Sequence, residues 1–177
     1  GKIVHCGAPY RLQDPWWEIR RPAPLLGEHT SEVTTETRGW RLEASSHSSP
    51  SLQSPISSLK LPLNGIRVAD FSWVWAGPYC AMHLAHLGAE VIKIESQAHL
   101  DLMRRLPIAP RGIKPGVDSS GPFNQWNQGK KSIQLNLGKA EGIALAKELV
   151  QQCDVVIENF ATGVMDELGL GYEELKK

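Results

Sequence analysis

Apolar positions organise the last two thirds of the chain and not the first. From residue 61 onward, short β-rich runs alternate with stripes of helical spacing. Residues 66–71, with Ile66, Val68 and Phe71, predict a strand. Pro78 suits the first turn of a helix, where its missing N–H costs nothing. Ala81, Met82, Leu84, Ala85 and Leu87 continue that helix to a stop at Gly88. Residues 91–94 predict a second strand, 131–135 a third with alternating sides, and 154–158 a fourth. Between the last two, Ile143, Leu145, Ala146, Leu149 and Val150 fall at near-helical spacing within 140–152. Short helices are expected at 163–168 and 172–177, separated by Gly169 and Gly171. This alternation predicts an α/β fold, a Rossmann-like open parallel sheet with right-handed crossovers. The sheet read this way is incomplete, because the pattern stops where a further strand is expected.

Three stretches break the alternation. Residues 96–129 carry Pro107, Pro110, Pro115 and Pro122 with scattered basic residues, and read as one long loop; loops of that size are usually functional. Residues 1–37 are rich in Pro, Trp and Arg. Pro9, Pro15, Pro22 and Pro24 bar a long helix, so this part is expected to be extended and to pack on the sheet, with Trp16 and Trp17 as packing anchors. Residues 38–60 hold Ser45-Ser46, Ser48-Ser49-Pro50, Ser54-Pro55 and Ser57-Ser58, too few apolar side chains to offset the entropy of ordering, and are expected to be a linker. The domain reading is therefore 1–37, 38–60 and 61–177.

Composition narrows the function classes. Nineteen Lys and Arg balance nineteen Asp and Glu, which leaves no basic excess for a nucleic-acid partner. No run reaches the eighteen or so apolar residues of a membrane helix. The first residues lack the apolar core of a signal peptide and a starting Met, so the chain is expected to begin inside a larger, cytoplasmic protein. Cys6, Cys80 and Cys153 are far apart, form no CxxC pair, and read as buried or semi-buried thiols. His83 and His86 lie three apart on a helix without carboxylate or Cys neighbours, and read as rim histidines, not metal ligands.

The candidate chemistry lies at strand ends, because ligands of open parallel sheets bind beyond the carboxyl ends of the strands. Three such ends stand out. The first is Trp73 to Pro78, where Gly77 admits close backbone approach and the following helix offers free N–H groups to an anion. The second is Glu95-Ser96-Gln97, with Glu95 either holding a ribose hydroxyl or, as the favoured reading, solvated. The third is Glu158 to Gly163, where Asn159 donates and accepts hydrogen bonds and Phe160 offers a flat face. Arg104-Arg105 are phosphate contacts or plain loop charges. No GxGxxG is present, so the standard dinucleotide fingerprint is missing.

Several blocks go further than pattern. Leu63 to Phe71, Ala76-Gly77-Pro78, Leu87 to Glu95, Asn127 to Ile133, Asp154 to Phe160, Gly163-Val164-Met165 and Leu168 to Tyr172 resemble, in order and spacing, the N-terminal part of class III CoA-transferases, the CaiB/BaiF type that includes formyl-CoA and carnitine-CoA transferases. Arg20 to Thr30, with Gly27-Glu28-His29-Thr30, resembles the closing motif of the same family. The chain thus reads as the tail of one unit joined to the head of another, through a tandem fusion or a junction.

The resemblance implies an enzyme that moves CoA between an acyl-CoA and a carboxylic acid through an Asp-acyl anhydride, working as an interlocked homodimer. The nucleophilic Asp is expected beyond Lys177, so this chain supplies CoA contacts and no catalytic residue. By resemblance those contacts are Trp75, Ala76, Ser96, Leu135, Asn136, Leu137, Gly138, Asn159, Phe160 and Ala161. CoA or acyl-CoA is substrate, with no permanently bound cofactor. Ser96 stands where a basic residue meets the CoA phosphates in relatives, and Lys130, Lys131 or Arg104 are candidates to replace that charge. A racemase of 2-methylacyl-CoA type and a non-catalytic CoA-binding remnant are the alternatives.

Overall fold

The computed structural model describes residues 16–43 and 61–176. Within them the chain forms α1 (Thr30–Glu43), β1 (Arg67–Asp70), α2 (Ala76–His86), β2 (Glu90–Glu95), α3 (Leu102–Arg105), α4 (Gly121–Trp126), β3 (Lys131–Gln134), α5 (Ala140–Val150), β4 (Val155–Ile157), α6 (Val164–Glu167) and α7 (Tyr172–Leu175). The four strands make one open, all-parallel sheet in the order β3-β2-β1-β4. The order turns back at β1: β2 and β3 lie on one side of it and β4 on the other. That turning point is where Rossmann-like sheets open a crevice.

Alternation along the strands sorts the side chains between two layers. Ala69, Phe71, Ile92, Ile94, Ile133 and Leu135 face one side, where Val33 of α1 and Ala146, Leu149 and Val150 of α5 cover them. Val68 and Val91 face the other side against Ala81, Ala85 and Ala89. Ala81 and Ala85 keep that face of α2 small where it packs on the sheet. Both faces of the central strands are buried, as an all-parallel sheet requires.

Two expectations need correction. Residues up to 37 are not extended throughout. Pro22 and Pro24 precede α1, and a proline blocks a helix only from within it, so Thr30–Glu43 is free to coil and crosses the expected start of the linker at 38. Glu32 in the first turn favours the helix dipole and pairs with Lys131 (2.6 Å), while Glu36 pairs with Arg67 (2.7 Å). The rest of the expected linker, 44–60, lies outside the described residues, as does Cys6. The stretch 96–129 also contains the short helices α3 and α4 and is not uninterrupted loop.

The segment before α1 is seated on the sheet domain along its length. Glu18 N donates to His86 O, Gly129 N to Arg21 O, Leu26 N to Asp118 Oδ1 and Gly27 N to Ser132 Oγ. Arg20 Nη2 donates to the carbonyls of Ala85, in the last turn of α2, and Ala89, just before β2. Trp17 sits with its ring centroid 6.3 Å from His86, whereas Trp16 is half exposed and anchors little.

His86 is not a rim residue. It is 4% exposed, and neither ring nitrogen has a partner among the described residues. Burial, with His83 and Lys130 nearby, pushes its pKa down from 6.5 to about 4. The folded state therefore resists protonation while the unfolded chain accepts it. Stability is full above pH 6.5 and falls as the pH drops towards 4, by at most about 3 kcal/mol. Replacing His86 with leucine should flatten the fall in urea midpoint between pH 6.5 and 4.5. An equally steep fall in the variant would assign the loss to other groups.

Candidate functional site: a crevice at the turning point of the sheet

The loop after β1 approaches the loop after β4. Phe71 N donates to Ile157 O (2.8 Å), and beyond it Asn159 closes the gap. Its Oδ1 accepts from Trp73 N (2.8 Å) and its Nδ2 donates to Trp73 O (2.9 Å). Gly77, buried at the start of α2, packs against Ser72 and Asn159. Val74 adopts a left-handed φ of 70°, which is costly for a β-branched residue. The loop holds it there because Val74 N donates to Asp101 Oδ1 (3.1 Å).

Below this loop lies a buried set of charges that the pattern reading missed. Lys130 Nζ meets Asp70 Oδ2 at 2.7 Å and Asn127 Oδ1 at 2.9 Å. Lys93 Nζ meets Asp101 Oδ2 at 3.1 Å and donates to Ser72 O at 2.8 Å. The Ser72 hydroxyl donates to Asp70. Two ammonium groups and two carboxylates thus balance in a space closed to water. Burial alone would push the Asp70 carboxyl up, but Lys130 and Lys93 outweigh it and hold the pKa below its usual range. Burial brings Lys130 down to about 8, against the pull of Asp70, which still leaves it charged at neutral pH.

A second buried pair lies beside the first. Glu95 is not solvated: its carboxylate takes two bonds from Arg104 Nε and one of 2.7 Å from Nη2. Arg104 also reaches Asp118 (2.8 Å) and Pro24 O (3.2 Å), and its guanidinium lies 3.5 Å from the centre of the Phe123 ring. Arg104 is therefore neither a phosphate contact nor a loop charge, whereas Arg105 is exposed. The three candidates for a free positive charge are all committed: Lys130 to Asp70, Arg104 to Glu95, and Lys131 to Glu32 and Glu90.

On the opposite face the strand ends enclose a cavity of about 300 Å³. Its walls include Phe71, Trp73, Ile94, Leu135, Leu137 and Phe160, with Ser96, His99 and Gly138 at polar points. Trp73 and Phe160 meet edge to face, with ring centroids 5.6 Å apart. The space is mostly apolar and takes one ring system, with backbone and hydroxyl groups at its margin.

The structure gathers five of the ten expected contact residues at this cavity: Ser96, Leu135, Leu137, Gly138 and Phe160. Asn159 stands next to it, with its amide engaged by Trp73. Asn136 turns inward on its own loop, where its Oδ1 accepts from Gly138 N (3.0 Å) and closes the turn into α5. Ala161 is exposed beyond Phe160. Ala76 opens α2 on the far side of Gly77, and Trp75, 58% exposed, stacks near Trp126 (5.1 Å) outside the cavity. Phe71, Ile94, His99, Val164 and Leu168 were not anticipated; Phe71 and Ile94 sit at strand ends, where topology could have flagged them, whereas His99, Val164 and Leu168 come from the segments that follow β2 and β4, which no spacing rule marks.

Other expectations are settled nearby. Cys80 is an exposed thiol on α2, not a buried one. Cys153 is half-buried, and burial pushes its pKa up to about 12. Among the described residues no three His, Cys, Asp or Glu side chains lie close enough to hold a metal ion, and no helix is long and apolar enough to cross a membrane.

Comparison with known proteins now adds to the geometry. The profile of CoA-transferase family III matches residues 63–177. Succinyl-CoA:glutarate CoA-transferase of Mus musculus is 40% identical over 126 residues, which cover 71% of this chain and 27% of that protein. Formyl-CoA:oxalate CoA-transferase of Escherichia coli O81 is 38% identical over 119 residues, 67% of this chain and 27% of that protein. Among solved structures, a CaiB/BaiF family protein from Brucella suis superposes with a TM-score of 0.57 at 40% identity, over 65% of this chain and 30% of that one. The chain therefore spans about a quarter of the length of these curated relatives. The profile covers more than half of the sequence, and the chain belongs to CoA-transferase family III.

Proposed function

We propose that this chain supplies the CoA-holding part of an enzyme that transfers CoA from an acyl-CoA to a carboxylic acid. The observation that supports this most directly is the apolar cavity at the turning point of the sheet, edged by the Trp73–Phe160 pair and joined by Asn159 to the start of α2. Ring stacking on Phe160 and Trp73, hydrogen bonds from Ser96 and from the loop 136–138, and the free N–H groups of α2 suit the adenine, phosphate and pantetheine parts of the ligand. The contacts proposed are Trp75, Ala76, Ser96, Leu135, Asn136, Leu137, Gly138, Asn159, Phe160 and Ala161.

In the reaction we infer, a carboxylate oxygen attacks the thioester carbon, the C–S bond breaks, and CoA leaves as thiolate. The thiolate then attacks the enzyme-side carbonyl of the resulting anhydride and releases the donor acid. Attack of the acceptor carboxylate on the enzyme thioester, again through an anhydride, returns CoA to the new acyl group. No aspartate of this chain is assigned as that nucleophile, and the chain alone is proposed to bind CoA without turning it over. A soluble cytoplasmic homodimer is the proposed setting of the complete enzyme.

Calorimetric titration of CoA into this chain tests the reading. Saturable binding is expected, weakened about tenfold by Asn159→Ala, which removes two hydrogen bonds that fix Trp73. The absence of heat at millimolar CoA, with the chain folded, would remove the crevice from consideration.

A further inference from the structure

A second cleft, of about 290 Å³, lies away from the crevice where the segment before α1 crosses the sheet. Arg20, Arg21, Pro22, Pro24, Glu28 and His29 line it. Its frame is fixed. Gly129 N holds Arg21 O at 3.0 Å, His29 N donates to Ser132 O at 2.9 Å, and Arg104 holds Pro24 O. Arg20 is anchored through Nη2 at the end of α2, which points to the amino ends of the strands, opposite the cavity lined by Phe160.

The cleft is rich in donors and poor in acceptors. Neither Arg20 nor Arg21 pairs with a carboxylate among the described residues. Glu28 turns one oxygen, Oε2, to Leu25 N (2.9 Å). The decisive feature is His29. Ser132 N–H points at its Nδ1 (3.3 Å), and Arg21 Nη1 stands 3.3 Å from its Nε2. A neutral imidazole carries one N–H, so in either tautomer one ring N–H faces another donor. With Nδ1 accepting from Ser132, the Nε2–H and the Arg21 guanidinium converge on one point. Charging the ring would place an N–H on both nitrogens and deepen the opposition, in line with a His29 pKa that burial lowers, with Arg21 and Lys131 acting in the same direction against Glu28 and Glu32. An oxyanion placed between Nε2–H and the guanidinium would satisfy both.

We propose that this cleft is an oxyanion-binding site, formed by Arg21 and His29 with Arg20 at its edge, for a phosphate or carboxylate group of a small molecule. It is separate from the CoA crevice and does not depend on it. Arg21 offers a planar fork to two oxygens, and His29 adds a directed N–H, a combination suited to a monoanionic carboxylate or a phosphate monoester.

The test is an NMR titration of the His29 ring in the full chain with inorganic phosphate, and in parallel with succinate, at constant ionic strength set with chloride. A saturable shift and a raised His29 pKa are expected with at least one of the two. Arg21→Gln should weaken saturation by about tenfold or more, and Arg21→Lys by less, because it keeps charge and loses the fork. Phe160→Ala, which alters the crevice, should leave the response intact, so loss of CoA binding and loss of this site are read separately. Tighter saturation by phosphate assigns a phosphorylated ligand, and tighter saturation by succinate a carboxylate. A response to both anions that is linear, or that persists unchanged in Arg21→Gln with a native melting curve, overturns the proposal.

Discussion

Replacing Asp70 with alanine is expected to destabilise the fold by about 3–5 kcal/mol at pH 7, because the Lys130 amine loses its carboxylate partner in a space closed to water. Lys130 Nζ has Asp70 at 2.7 Å, and no water-exposed path relieves it: both side chains are fully buried. Loss of the carboxylate also frees Ser72 N, which donates to Asp70 Oδ1 at 3.0 Å, and so loosens the loop that carries Trp73. The double variant Asp70→Ala/Lys130→Met should recover most of the loss, since a buried pair exchanged for apolar side chains is often neutral. Urea unfolding of the two variants measures this. A loss under about 1 kcal/mol in the single variant would mean that the pair is not dry.

A methyl group added at Gly77 is expected to lower CoA affinity by about tenfold or more and to destabilise the chain by about 1–3 kcal/mol. The new Cβ would overlap the Ser72 Cβ, and would lie 2.7 Å from Ser72 Oγ and 3.1 Å from Asn159 Cγ. Ser72 has no room to retreat: its hydroxyl is bound to Asp70 and its carbonyl to Lys93. The start of α2 must then move off Asn159 and open the tip of the crevice. Ser72→Gly in the same chain should restore part of the affinity. Wild-type CoA binding in Gly77→Ala would show that the tip of the crevice takes no part in holding the ligand.

The parts of the fold that periodicity controls were legible. Each strand falls within or one residue beyond its expected span, and α2 and α5 lie where Pro78 and the 143–150 stripe set them. Helix α1 was not legible, because prolines earlier in the segment were read as governing residues beyond them. The largest failure concerns charge. Val91-Ile92-Lys93-Ile94-Glu95 alternates like a strand with one wet face, and Glu95 was read as solvated. Here the polar face is covered by 96–129, which brings Asp101 to Lys93 and Arg104 to Glu95. Single-strand pattern carries no information on what folds over it. The candidate site shows the same division. Residues just past strand ends met at one cavity, as topology dictates, whereas Trp75 and Asn136 were drawn to local partners, Trp126 and Gly138, that no spacing rule specifies.

The contacts between the segment before α1 and the sheet have one more consequence. The hydrogen bonds that seat that segment on the sheet domain run from residues 18–29 to α2 and Ala89, to the 104–129 region or to β3. Register between residues 16–29 and the sheet domain is therefore written in their complementary surfaces. A peptide that carries Glu18 to His29 thus holds, in its own backbone and side chains, the groups by which it would find its place on the sheet.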